Sequence, residues 1–132
     1  MKPEKIMDML SKMACDVELF GNVQIAAAIV IKNEIISFGV NEHKTHPFQK
    51  KYAPNPMALY KHAENAAIIN ALNRVPKNDL KKATMYIVRV KKDHSWGMAC
   101  PCEGCSKAIK EYGIKKVVYT TDVTNQFECK AA

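Results

Sequence analysis

The chain has 132 residues, 48% hydrophobic and 25% charged, a size and composition that suit one globular domain over residues 1–132 with a real core. Its five cysteines, three of them between Cys100 and Cys105, do not make a disulfide framework, and no apolar run approaches a membrane span. A cytoplasmic setting without membrane attachment is expected, and the formal net charge of +7 implies an anionic partner or substrate without specifying nucleic acid.

Ile6, Leu10, Met13, Val17 and Phe20 recur at steps of four and three, which predicts an amphipathic helix over 3–20, opened by Pro3 and ended by Gly21-Asn22. Val23 to Ile31 is almost unbroken apolar, as in a central strand covered on both faces. After a short turn at 32–34, alternation of Ile36, Phe38 and Val40 predicts a second strand paired to the first as a hairpin. Residues 41–61 hold Pro47, Pro54 and Pro56 without a sustained period and read as a long loop. That loop is basic: Lys44, Lys50, Lys51 and Lys61, with His43 and His46, are opposed by Glu42 alone. A phosphate suits it, with Lys44 and Lys61 as candidate contacts.

Ala63 to Arg74 reads as a compact alanine-rich helix stopped ahead of Pro76, and Thr84 to Val90 as a strand. Residues 91–99 form a polar loop that carries Trp96, and Cys102 to Tyr112 a second helix closed by Gly113. Lys115 to Thr120 is a β-branched strand, and in the tail only Gln126-Phe127-Glu128-Cys129 offers a short edge strand. Strands and helices in this order imply right-handed crossovers and a largely parallel part of the sheet, with the hairpin strand added antiparallel. The fold class is α/β: a three-layer sandwich, a mixed sheet of four to five strands with helices on both faces.

Cys102 and Cys105, three apart directly after Pro101, put two sulfurs on one side of a helix start, where partial positive charge and free N–H groups favour the thiolate. His62 can supply a third, nitrogen ligand. Three such ligands leave one tetrahedral position for water, the pattern of a catalytic zinc site, and Glu64 is then the natural proton carrier. Residues i and i+2 point apart on a regular helix, so His62 and Glu64 converge only if His62 sits where the helix begins. In open α/β sheets such helix starts gather beyond the carboxyl ends of strands.

His62-Ala63-Glu64 and Pro101-Cys102-Glu103-Gly104-Cys105 match H-x-E…P-C-x-x-C, and in this the chain resembles the zinc-dependent nucleobase and nucleotide deaminases. Gly39-Val40-Asn41, Ala66-Ala67-Ile68 and Ile114 to Tyr119 look like deoxycytidylate deaminase-type neighbours, so the resemblance spans roughly residues 22–120. It implies a five-stranded sheet between helices, with a C-terminus expected to be too short for the further helix and full fifth strand that many relatives carry. It also implies zinc as cofactor and hydrolysis of a cytosine nucleotide, dCMP to dUMP favoured: hydroxide supplied by zinc attacks C4 while Glu64 shuttles protons. Further implications are that the Asn41 side chain and the Ala63 backbone hold sugar and base, that the Cys100 carbonyl meets the leaving amino group, and that the chain forms a homo-oligomer.

Two other readings use the same residues. Bases in tRNA or single-stranded DNA would need the basic loop as a longer track, with Phe48, Tyr52, Tyr60 and Trp96 to flank them. A structural zinc in a nucleic-acid-binding module would take His43 or His46 as fourth ligand and leave Glu64 without a role. Asn41 can be a plain strand-end residue, and Pro101 separates Cys100 from the helix that aims the other two cysteines.

Overall fold

The computed structural model describes residues 2–16, 24–41 and 62–132. Helix α1 (Pro3–Cys15) buries Ile6, Met7, Leu10 and Ala14. Val17, Phe20 and the expected stop at Gly21-Asn22 lie outside the described residues, as does the basic stretch from Glu42 to Lys61. Strands β1 (Gln24–Ile31) and β2 (Glu34–Val40) form the expected hairpin through Lys32 and Asn33, whose φ values of 51° and 64° give a turn that matches strand twist. Then follow α2 (Ala63–Leu72), a 3-10 turn (Lys77–Lys82), β3 (Ala83–Val90), β4 (Trp96–Gly97), α3 (Glu103–Glu111), β5 (Lys116–Thr120) and β6 (Phe127–Ala131). Gly113, at φ 81°, follows the end of α3 as expected.

The three layers are present, with a sheet richer than expected. It has six strands rather than four to five, in the order β2-β1-β3-β5-β6 with β4 also paired to β3. The tail supplies β6, antiparallel to β5 from Thr120↔Phe127 to Lys116↔Ala131. Its side chains after Phe127 are exposed, so it pairs through backbone without the apolar alternation that would have marked it. Trp96 and Gly97, read as part of a polar loop, pair with Val90 and Arg89. Trp96 is buried against α1, its Nε1 donating to Ser11 Oγ at 2.8 Å.

As expected for the parallel part of the sheet, β2, β3 and β5 run the same way, with the hairpin partner β1 antiparallel among them. β1 is antiparallel to both β2 and β3 and lies between them, so β3 with β5 is the parallel pair among the described strands. A run as apolar as Ala26–Val30 suits this central place, because both its faces are covered. Ala26, Ala28 and Val30 join Tyr86, Val88 and Val118 under α1, while Ala27 and Ile29 join Met85, Ile87, Val117 and Tyr119 under α2 and α3.

The second face positions the site. A Cβ on Gly39 would run into the Ala63 carbonyl and the Ala67 amide, so only glycine lets the first turns of α2 lie directly on β2. Ser37 Oγ donates to the Ala67 carbonyl at 2.7 Å, Asn70 Nδ2 to the Phe38 carbonyl at 2.7 Å and Arg74 Nη1 to the Ile36 carbonyl at 3.1 Å. Among the described residues no helix is long and apolar enough to cross a membrane.

Candidate active site

His62 is the N-cap of α2, with φ −79° and ψ 155°. That extended backbone meets the requirement for His62 and Glu64 to serve one site. Cys102 is the N-cap of α3, and its Sγ accepts the Cys105 N–H at 3.5 Å, so the cap aligns the pair. His62 Nδ1 lies 3.5 Å from Cys102 Sγ and 3.3 Å from Cys105 Sγ, although 40 residues separate His62 from Cys102. All three donor atoms lie within 4.8 Å of one another.

This donor set fits zinc. A borderline-soft cation takes imidazole nitrogen and thiolate sulfur at about 2.0–2.3 Å, which sets tetrahedral donors roughly 3.5 Å apart. Protonation follows from the same contacts. The Cys105 thiol hydrogen-bonds to Cys102 and draws it down to about 4, against burial and with help from His62. Cys105 is pushed up by that bond and by burial. The bond to Cys102 raises His62, with burial opposing. One thiolate is thus ready, and a bound cation displaces the remaining proton.

Glu64 is 5% exposed, and its Oε1 has no hydrogen-bond partner among the described residues. Burial pushes its carboxyl above the ordinary carboxylate range while the charge of His62 pulls it back. A carboxyl left short of partners beside a metal-ligating group suits proton transfer better than a structural ion pair.

The other expected residues divide. Asn41 Oδ1 accepts the Ile25 N–H at 2.8 Å and its own N–H donates to the Ile25 carbonyl at 3.2 Å, so it closes the end of the hairpin at the end where both helices start. Ala63 is fully buried. Cys100 is exposed and stands apart from the three donors, its Sγ accepting Lys130 Nζ at 3.1 Å. Lys44 and Lys61 lie outside the described residues, together with His43, His46 and the loop aromatics Phe48, Tyr52 and Tyr60. Arg89, which sequence reasoning passed over, is a cation at the carboxyl end of β3 on the face where Met85 and Ile87 alternate.

The family model described as the cytidine and deoxycytidylate deaminase zinc-binding region matches residues 1–121. The chain belongs to this family. Zinc is the metal of these deaminases, and His62, Cys102 and Cys105 are the group that could hold it here. No curated protein sequence matches the chain. Among solved structures, this family member is similar to a cytidine deaminase from Burkholderia pseudomallei, with TM-score 0.69, 18% identity and coverage of 99% of this chain and 93% of that one. It is also similar to the dCMP deaminase of cyanophage S-TIM5, with TM-score 0.59, 24% identity and coverage of 92% and 86%. The Thermotoga maritima diaminohydroxyphosphoribosylaminopyrimidine deaminase/5-amino-6-(5-phosphoribosylamino)uracil reductase aligns at TM-score 0.56 and 25% identity, over 89% of this chain and 28% of that one. These likenesses confirm the α/β deaminase-type fold.

Proposed function

We propose that this member of the family hydrolytically deaminates a cytosine nucleotide, dCMP to dUMP being the favoured reaction, with His62, Cys102 and Cys105 holding zinc and Glu64 moving the protons. The observation that carries this is the convergence of one ring nitrogen and two sulfurs within 4.8 Å, beside a buried carboxyl whose Oε1 lacks a partner among the described residues. The chemistry zinc supplies when bound is Lewis-acid activation of water, whose pKa falls to about 7. Glu64 accepts one proton of the attacking water and delivers it to the ring nitrogen; as the C4 carbonyl forms and the C4–N bond breaks, it takes the remaining proton of that oxygen and delivers it to the amino group, which leaves as ammonia. Its burial favours the protonated carboxyl that each delivery needs. Ala63 and Asn41 hold base and sugar, and the Cys100 carbonyl meets the amino group.

A phosphorylated substrate is supported by the basic run that leads into His62-Ala63-Glu64, where Lys44 and Lys61 are assigned to the phosphate, and by the net charge of +7. One charge-assisted contact to a phosphate is worth on the order of 1.5–3 kcal/mol, about tenfold to over a hundredfold in preference. The test offers cytidine, deoxycytidine, their monophosphates and short single-stranded oligonucleotides to the zinc-loaded protein and follows ammonia release. The monophosphate should be fastest. Activity on oligonucleotides alone, falling steeply with salt, would select the polynucleotide reading, which the same basic run favours. Four protein ligands in the metal's absorption spectrum would replace catalysis with a structural zinc. The assembly assigned here is a cytoplasmic homo-oligomer, for which light scattering should return a multiple of the 14.8 kDa chain.

A further inference from the structure

Ala83, Met85 and Ile87 of β3 all point into the core under α2 and α3. Side chains alternate along a strand, so the next residue on that face is Arg89, at the carboxyl end of β3 where both helices begin. Arg89 pairs with Ile25 of β1 on one side and Gly97 of β4 on the other, and Ile25 is bound at both its N–H and its carbonyl by Asn41. Asn41, Ile25, Arg89 and Gly97 therefore make one rung across the end of the sheet.

The side chain of Arg89 lies along Gly97, where a Cβ would stand 3.2 Å from its Cδ and 3.4 Å from its Nε. Its backbone is fixed separately: the Arg89 N–H donates to Thr120 Oγ1 at 3.1 Å, and that hydroxyl donates to the Gly97 carbonyl at 2.6 Å. Arg89 Nε is nevertheless buried, with no hydrogen-bond partner among the described residues. A guanidinium keeps its charge and its five donors, and burying one of them unpaired is costly. The positive ends of α2 and α3 at the same end of the sheet add to that charge. The guanidinium, partly exposed at the end of the sheet where both helices begin, is placed to meet an anion there.

We propose that Arg89 is a specificity-determining residue that binds the phosphate of a nucleoside monophosphate, one rung position from the Ile25–Asn41 pair. This rests on the cytosine-nucleotide reading, with Asn41 at the sugar, and adds a cation that the basic stretch does not contain.

The experiment compares wild type with Arg89→Met and Arg89→Lys, all zinc-loaded. It measures kcat and KM for dCMP and deoxycytidine, calorimetric binding of dUMP and deoxyuridine, and thermal melting. Arg89→Met should lower the preference for dCMP over deoxycytidine about tenfold or more, chiefly through KM, and lower dUMP binding relative to deoxyuridine by a similar factor. Arg89→Lys should recover part of both. The Met variant should melt no lower than wild type, since Nε has no hydrogen-bond partner among the described residues. An unchanged preference, or equal losses for nucleoside and nucleotide together with a lower melting point, would overturn the inference and leave Arg89 a structural residue. A wild type that deaminates neither compound would defeat the functional reading, and the dUMP-to-deoxyuridine binding ratio would still decide for or against Arg89. A wild type that treats nucleoside and nucleotide alike would overturn the phosphate contact while leaving the deaminase standing.

Discussion

Helix α3 keeps Glu103, Lys107 and Lys110 in water and buries Gly104, Cys105, Ala108 and Ile109, whereas α2 is buried continuously from Ala63 to Ala67 and on through Ile68. The two cysteines of α3 are aligned by local means, a preceding Pro101 and a cap in which Cys102 Sγ accepts the Cys105 N–H at 3.5 Å. His62 owes its place to β2 instead, through the bare backbone at Gly39 and the side-chain bonds of Ser37, Asn70 and Arg74. One half of the site is thus assembled within six residues and the other by the contact of a strand with a helix. Damage to β2 should reach the metal from a distance, while damage to the outer face of α3 should not.

The largest effect concerns the group that both halves serve. Glu64→Gln should lower kcat by about 10²–10⁴-fold while zinc content stays at the wild-type level, whereas His62→Ala should lose the metal; ammonia release and metal analysis separate the two. The same substitution has a stability signature in metal-free protein. Burial raises the Glu64 carboxyl above its ordinary 4.5, so the folded chain binds that proton more tightly than the unfolded one. The stabilisation is complete below about 4.5 and is lost as pH rises through the folded value. Glu64→Gln should therefore melt higher than wild type near neutral pH, and the difference should vanish in acid.

Two glycines sharpen the contrast. Gly39→Ala should cost about 1–3 kcal/mol by overpacking α2 against β2, and should lower zinc content because His62 moves with the helix. Gly113→Ala, strained by a φ of 81°, should cost about 1 kcal/mol and leave zinc unchanged. Urea melts with metal analysis would show whether both lose zinc, an outcome that would dissolve the distinction drawn here. The smallest effect belongs to the outer face of α3. Glu103→Ala removes an exposed ion pair to Lys107 at 3.5 Å and should change stability by only about 0.3–0.5 kcal/mol, with the rate unaffected.

Short-range features were legible in the residues themselves. The period of α1, the hairpin of β1 and β2, the glycine stop after α3 and the placing of Cys102 and Cys105 at a helix start all follow from spacing within a few turns, because backbone geometry converts such spacing into direction. The site boxes were legible for the same reason: each is three to five residues long. Strand β6 was only faintly so, since an exposed edge strand is held by backbone pairing with β5 and leaves no apolar signature. Trp96 was assigned to a loop because pairing with Val90 depends on a partner that its neighbours do not reveal.

By itself the sequence determined the main helices and strands, the two cysteines at one helix start, and His62 and Glu64 as the candidates for third donor and proton carrier. Only the tertiary structure decided that β1 enters between β2 and β3, that His62 comes within 3.5 Å of two sulfurs, and that Arg89 shares a rung with Ile25 and, through it, Asn41. The physical reason is range. Capping and alternation act between residues a few positions apart, whereas His62 and Cys102 lie 40 residues from each other and meet only after burial of the sheet's second face has placed both helices.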